Sequence, residues 1–459
     1  MAETYSFIVN GKSVETAENK SLLRFLRDDL GLHSVKDGCS QGACGTCTVI
    51  VDGKTTRACV LTTAKAVGKS ILTVEGLSLR EKEAFVYAFG VKGSVQCGFC
   101  IPGMVISGKA LLDQNPNPKE DEIRLALRGN ICRCTGYTKI VEGIQLVAAI
   151  LRGEASIDEK FEMEGAFGVG KHAFRVDVRD KVLGVGEYVD DVVIEGMAHA
   201  SAVRSAYPRA RVLSIDTNAA RSLPGVVDVL TAEDVPNNKV GHIQQDWDVM
   251  IPVGSVTRYV GDALCLVVAE SPAILEAAKN LIKIEYEPLE PVRNVYEAMA
   301  DGAPRVHSKG NLCQTRHVTR GDAKKALAES KYVVTQKYST PMTEHAFLEP
   351  ECAIAFPYKD GIKILSTDQS VYDTRHEVAI MFGWDQERII VENKYVGGGF
   401  GGKEDVSAQH IAALAAWKTQ RPVKVRFSRE ESIAFHPKRH AMEGTLEVEI
   451  GRASCRERV

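Results

Sequence analysis

The chain has 459 residues, a formal net charge of −3, 44% apolar residues and 25% charged residues. These values suit a soluble globular protein long enough for two to four domains. They leave no basic surplus for binding nucleic acid and no apolar run long enough to span a membrane. The start, MAETYSFIVNGKSVETA, lacks the basic and apolar regions of a secretory signal. A cytoplasmic protein is expected, where thiols bind metals or catalyse more often than they form disulfides.

Tyr5, Phe7 and Val9 alternate ahead of Asn10-Gly11, which predicts a strand and a type I′ hairpin turn. Leu22, Leu23, Leu26 and Leu30 have helical spacing, and Gly31 ends the run. Residues 38–47 then read GCSQGACGTC, and TCTVIVDGKTTRACVL predicts a strand, an Asp52-Gly53 turn and a second strand. That hairpin can return Cys59 to the loop. Cys39, Cys44, Cys47 and Cys59 therefore form C-x4-C-x2-C-x11-C, and the first three match plant-type [2Fe–2S] spacing. Gly38, Gly42 and Gly45 would let backbone N–H groups approach the sulfurs closely. Zinc is the main competitor, although it usually takes its thiols from two separate knuckles. A disulfide framework ranks last.

A second group follows. Cys97 and Cys100 precede a helix expected to open at Pro102; Cys132 and Cys134 precede another opening near Thr138, with Ile140, Ile144, Val147 and Leu151 on one face. A helix N-terminus stabilises an anionic cluster. A lone C-x-x-C would suggest a thioredoxin-like motif, but no βαβ pattern surrounds it. Cys265, Cys313, Cys352 and Cys455 are scattered and read as small apolar side chains.

Two four-cysteine sites of these forms in tandem, carried by GCSQGACGTC, QCGFCIPGMV and ICRCTGY, resemble the molybdenum hydroxylase family of xanthine dehydrogenases and aldehyde oxidoreductases. The resemblance implies an α+β multidomain chain. Residues 1–80 would be a β-grasp [2Fe–2S] ferredoxin domain and 84–152 a helical domain holding a second [2Fe–2S] cluster. A linker at 153–180 would be too short for the flavin domain some members carry there, so electrons would leave to a separate flavoprotein or another carrier. Residues 181–300 would form an α/β hammerhead domain, and 325–448 the first part of a molybdopterin-binding domain. Bottom-up, the hammerhead region shows β-rich runs and one helix over 272–282.

TEHAFLEPECAIAF, ILSTDQS and YVGGGFGGKEDVS resemble the molybdenum domain. By that match Gln96 and Cys134 approach the pterin, Phe400 and Gly401 lie beside molybdenum, and Gln369 hydrogen-bonds an oxygen on it. Glu404 matches a substrate-contacting carboxylate of the xanthine-oxidising members. A carboxylate can accept ring N–H groups, which favours a purine such as xanthine or hypoxanthine. The competing readings are an aldehyde or other N-heterocycle oxidoreductase, a two-cluster electron carrier without catalysis, and a zinc-bound structural protein. Gly397–Lys403 is almost a phosphate-binding loop, but Glu404 stands where a Ser or Thr should hold Mg²⁺. His345 and Glu349 have i, i+4 spacing, yet Pro350 argues against a shared helix face, and a supporting role is expected for both. The family's general base, a glutamate, lies near its C-terminus, so no catalytic residue is assigned here. GVGE at 184–187 is a decoy. Residues 449–459 read like a translated sequencing adapter, and the chain is expected to be an incomplete one. A homodimer is one open arrangement; neither a nucleic-acid nor a membrane partner is expected.

Overall fold

Asn10 and Gly11 both take positive φ, 51° and 79°. They turn β1 (Tyr5–Val9) into β2 (Lys12–Thr16) in the computed structural model, which describes residues 4–158, 169 and 174–449. Asp52 and Gly53 do the same between β3 (Thr48–Val51) and β4 (Lys54–Arg57). With β5 (Ser70–Leu72) these strands make a sheet of order β2-β1-β5-β3-β4, in which β1 and β5 are parallel. The expected helix after residue 21 is present in altered form. Ser21 caps one α-turn at Leu22–Arg24, which continues as a π-turn at Phe25–Asp29. The wider turn lets Phe25, Leu26 and Arg27 all face inward.

The helical domain is built from Leu79–Lys92, Ile101–Gln114, Glu120–Leu127 and Thr138–Arg152. Ser78 and Glu81 form a capping box on the first helix, and Pro102 occupies the first turn of the second. Phe85, Phe89, Met104, Ile140, Ile144 and Val147 fill the core. Residues 178–183, read from sequence partly as linker, form a helix instead. Val178 and Val182 lie one turn apart and both bury in the helical-domain core, which is what orders the segment. Residues 159–168 and 170–173 of the expected linker, and 450–459 of the expected artefact, lie outside the described residues.

The second half centres on a seven-stranded mixed sheet. Its strands are β6 (Ala198–Arg204), β8 (Val226–Thr231), β9 (Ala263–Ala269), β12 (Cys352–Tyr358), β13 (Gly361–Ser366), β14 (Ile389–Asn393) and β15 (Val423–Arg426). The order is β14-β13-β12-β15-β6-β9-β8. Parallel pairing of β15 with β6 joins the hammerhead region to the region after residue 325 in one sheet. β7 (Ala210–Asp216) pairs with β10 (Lys283–Pro288) at one side. The expected 272–282 helix is observed at Pro272–Lys279, capped by Ser271. Helices Val371–Phe382 and Gln409–Thr419 pack on the sheet core, and β11 (Val333–Thr340) pairs with β16 (Met442–Glu449) in an exposed ribbon. No helix among the described residues is long and apolar enough to cross a membrane.

Candidate cluster and cofactor site

The cysteine loop folds around its own sulfurs. The amides of Gln41 and Cys44 donate to Cys39 Sγ, both at 3.4 Å, and Gly42 N–H donates to Cys59 Sγ at 3.2 Å. Cys39, Cys44 and Cys47 are buried and Cys59 half-buried, all without disulfides. The hydrogen bond from Cys44 holds the Cys39 thiol down at about 5, and Cys44 is correspondingly pushed up. In the helical domain Cys97 shares hydrogen bonds with Cys134, and Cys100 with Cys132. Contacts from Cys100 and Cys134 hold Cys132 down at about 2. Thr135 Oγ1 donates to Cys132 Sγ at 3.2 Å. The structure thus brings each set of four sulfurs together. All-sulfur, mostly buried donor sets with N–H groups aimed at the thiolates fit [2Fe–2S] clusters.

The two sets adjoin. Ile131 N–H donates to Cys44 C=O at 2.8 Å, so one hydrogen bond and one peptide link connect Cys44 to Cys132. Gly45 makes this approach attainable: its φ is 75°, and a Cβ there would lie 2.2 Å from the Gly129 oxygen. Gly38 meets the second half of the chain in the same way. Arg429 Nε and Nη2 donate to Gly38 C=O at 3.0 and 2.9 Å, and Nη2 also reaches Leu348 C=O at 2.8 Å.

A buried ion network, not foreseen from sequence, sits beneath the first loop. Asp37 pairs with Arg24 and with Arg426, at 3.0 Å from the latter. Arg426 also holds Asp190 at 3.1 Å, Arg27 reaches Asp190 at 3.3 Å and Asp191 at 2.8 Å, and Lys36 reaches Asp191 at 2.6 Å. Burial alone would raise Asp190, but Arg426 and Arg27 overcome it and hold this carboxyl far below its usual range. The only sequence signal was Asp37 immediately before the motif.

On the other side the helical domain meets the glycine-rich loop. Tyr188 Oη donates to Cys97 C=O at 2.7 Å, and Arg133 Nε donates to His345 C=O at 2.9 Å. A Cβ on Gly397 would lie 2.2 Å from Glu349 Cβ and 3.0 Å from the ring of Phe99, which sits between Gly98 and Cys100. The loop is clamped from below. Glu349 Oε2 accepts from Gly397 N–H at 2.6 Å and from Lys403 Nζ at 3.0 Å, with both side chains about fully buried. Lys403 is therefore committed inside the protein and unavailable to phosphate, which removes the phosphate-loop reading. His345 and Glu349 do not converge on one ion: Glu349 holds the loop and His345 turns towards His436.

Above the loop, Gln369 Oε1 accepts from the amides of Gly401 at 2.9 Å and Lys403 at 3.3 Å. Its oxygen is thereby committed to the loop, and its NH₂ is the group left to face outward. A Cβ on Gly399 would lie 2.2 Å from that oxygen. Phe400 is held in the left-handed region, at φ 57°, and the residue is 46% exposed. Gln96, Gly401 and Glu404 are also exposed, and Cys134 is half-buried. Among the described residues Glu404 has no hydrogen-bond or ion-pair partner. Glu187 of GVGE instead pairs with Lys394 at 2.8 Å, a structural use. An exposed glutamine whose oxygen is already engaged, bare backbone and an adjacent set of four cysteines fit a molybdopterin.

Four family profiles match in chain order. They are a 2Fe-2S iron-sulfur cluster binding domain over 7–70, a [2Fe-2S] binding domain over 73–145, the a/b hammerhead domain of aldehyde oxidase and xanthine dehydrogenase over 183–290, and a molybdopterin cofactor-binding domain over 306–453. The nicotinate dehydrogenase small FeS subunit of Eubacterium barkeri is 47% identical over 140 residues, 30% of this chain and 89% of that protein. The chain belongs to the molybdenum hydroxylase family. Within that family, the aldehyde oxidoreductase of Megalodesulfovibrio gigas is 31% identical over 439 residues, 91% of this chain and 48% of that protein. A probable xanthine dehydrogenase subunit of Bacillus subtilis is 36% identical over 274 residues, 59% of this chain and 36% of that protein. The solved aldehyde oxidoreductase from Desulfovibrio gigas superposes with a TM-score of 0.89 at 28% identity, over 97% of this chain and 52% of that one. The chain thus spans about half the length of relatives matching it nearly end to end. The family brings two [2Fe–2S] clusters and a molybdenum cofactor.

Proposed function

We propose that this chain carries the electron-transfer half and the first part of the cofactor site of a hydroxylase acting on a purine such as xanthine or hypoxanthine. Cys97, Cys100, Cys132 and Cys134 hold the cluster nearer the pterin, and Cys39, Cys44, Cys47 and Cys59 hold the outer one. The molybdenum–pterin group supplies the two-electron redox centre at which an electron-poor C–H carbon is hydroxylated. Gln96 and Cys134 would hold its pterin, and Gly401 and Phe400 would border the metal. The Gln369 NH₂ would offer the cofactor a hydrogen-bond donor, because its oxygen is tied to Gly401 and Lys403. The Cys44–Ile131 contact would link the two clusters, and a separate flavoprotein or another carrier would take up the electrons. The family's subunit-built relatives support a separate acceptor.

The observation that carries the purine reading is Glu404. It is exposed and unpartnered at the end of the glycine loop, free to accept ring N–H groups. In the complete protein, Glu404→Val should abolish most xanthine turnover while leaving cluster reduction by dithionite intact. Retained xanthine turnover would sink the purine assignment. A second reading, an aldehyde substrate, is supported by overlap with an aldehyde oxidoreductase along nearly the whole chain; turnover of an aldehyde but not xanthine by the unaltered protein would establish it.

A further inference from the structure

Glu344, His345 and His436 are drawn from two distant segments and converge beneath the glycine loop. Their ligand atoms lie within 4.8 Å of one another. His436 Nε2 stands 3.2 Å from Glu344 Oε1 and 3.3 Å from His345 Nδ1. Ligands 2.0–2.1 Å from a tetrahedral zinc stand about 3.3 Å apart, so these two separations match tetrahedron edges.

The surroundings of His436 bear on its tautomer. His436 Nδ1 makes a short contact with the Ser432 carbonyl oxygen, which an N–H on that nitrogen would satisfy, and Lys438 Nζ stands 3.3 Å from the same nitrogen. The Glu351 carboxylate also approaches Nδ1, at 3.4 Å. Glu351 is 2% exposed, and neither of its oxygens has a hydrogen-bond partner. Ring N–H to carbonyl and carboxylate is the arrangement that orients metal-binding histidines. With the N–H on Nδ1, the Nε2 lone pair would face a carboxylate oxygen and a second imidazole nitrogen, three electron-rich atoms that a cation would reconcile. Lys438 Nζ lies 2.6 Å from the other oxygen of Glu344, Oε2, and Ala346 N–H donates to Oε1 at 2.9 Å, which leaves Oε1 one further lone pair for a ligand bond.

We propose that Glu344, His345 and His436 form a site for a divalent transition metal of the zinc class, with its fourth position open. Such an ion would be a strut. The ring of His345 lies against Gly402, where a Cβ would sit 2.9 Å from Nδ1, and its carbonyl receives Arg133 from the second cysteine group. The metal would fix the glycine loop at Gly402 to the cluster domain at Arg133.

The test uses the full chain with both clusters in place, equilibrated with micromolar zinc and then desalted. About one zinc per chain is expected, and X-ray absorption should show nitrogen and oxygen ligands near 2.0 Å. A sulfur shell near 2.3 Å would instead place the zinc in vacated cysteine sites and overturn the proposal. His345→Gln and Glu344→Gln should each weaken zinc binding at least tenfold without changing iron content. Zinc-free wild-type protein, or variants that bind as tightly as wild type, would overturn it too and leave the three side chains as a hydrogen-bonded cluster. The absorption measurement needs no variant, so a folding defect in either variant cannot mask the answer.

Discussion

Replacing Lys403 by methionine tests whether the glycine loop depends on its buried clamp. Lys403 and Glu349 are 2% and 1% exposed, 3.0 Å apart, and Glu349 Oε1 already lacks a hydrogen-bond partner. Methionine conserves most of the volume and removes the charge, leaving Glu349 with only the Gly397 amide. Breaking a buried pair from one side costs about 3–5 kcal/mol. The cost should depend on pH. Burial raises Glu349 above its ordinary value even against the pull of Lys403 and the Gly397 N–H. A carboxyl raised in the folded state favours folding most when protonated, and that contribution is lost as pH rises from the unfolded value through the folded one. Removing Lys403 raises Glu349 further, so the deficit should be largest near pH 7 and shrink as pH falls towards the ordinary carboxyl range. Trp247, Trp384 and Trp417 all lie in the second half of the chain, so their fluorescence in urea follows this region. The double change Lys403→Met with Glu349→Gln should recover a large part of the loss at pH 7. A single variant within about 1 kcal/mol of wild type, or a deficit unaffected by acid, would refute the clamp.

Cys59→Ser should lower iron from about four to about two atoms per chain and remove one of two electron-paramagnetic-resonance signals, with Cys132→Ser removing the other. Gly45→Ala forces a Cβ to 2.2 Å from the Gly129 oxygen at a φ of 75°. It should strip hydrogen-exchange protection from the Ile131 amide, and unchanged protection would show that the junction gives way elsewhere. Asp190→Asn should destabilise the chain by about 3 kcal/mol at neutral pH, because it leaves Arg27 and Arg426 short of a partner. Asp190 is held below its usual value, so its contribution is present above about pH 4 and is lost as pH falls further. Urea midpoints for wild type and variant should therefore converge in acid, and a constant gap would count against the network.

The cysteine sites were legible because their chemistry is local. Cys39, Cys44 and Cys47 lie in one loop whose glycines must bend it, and the Asp52-Gly53 turn alone brings back Cys59. The hairpin turns and most helices were equally readable from turn residues and spacing. The Leu22 helix was readable as a helix but not as a π-turn, because only the packing of Phe25, Leu26 and Arg27 sets its width. The same limit applied to Val178–Leu183, whose order comes from a core formed by residues far away in sequence.

What sequence by itself determined was the donor chemistry: which thiols and which glycines. Only the tertiary structure decided which polar and charged groups meet. Lys403 with Glu349, Arg426 with Asp37 and Asp190, Arg429 with Gly38, and His345 with His436 join residues tens to hundreds of positions apart. Burial turns these pairings from surface noise into clamps, since a charge removed from water must find its partner wherever the fold delivers one.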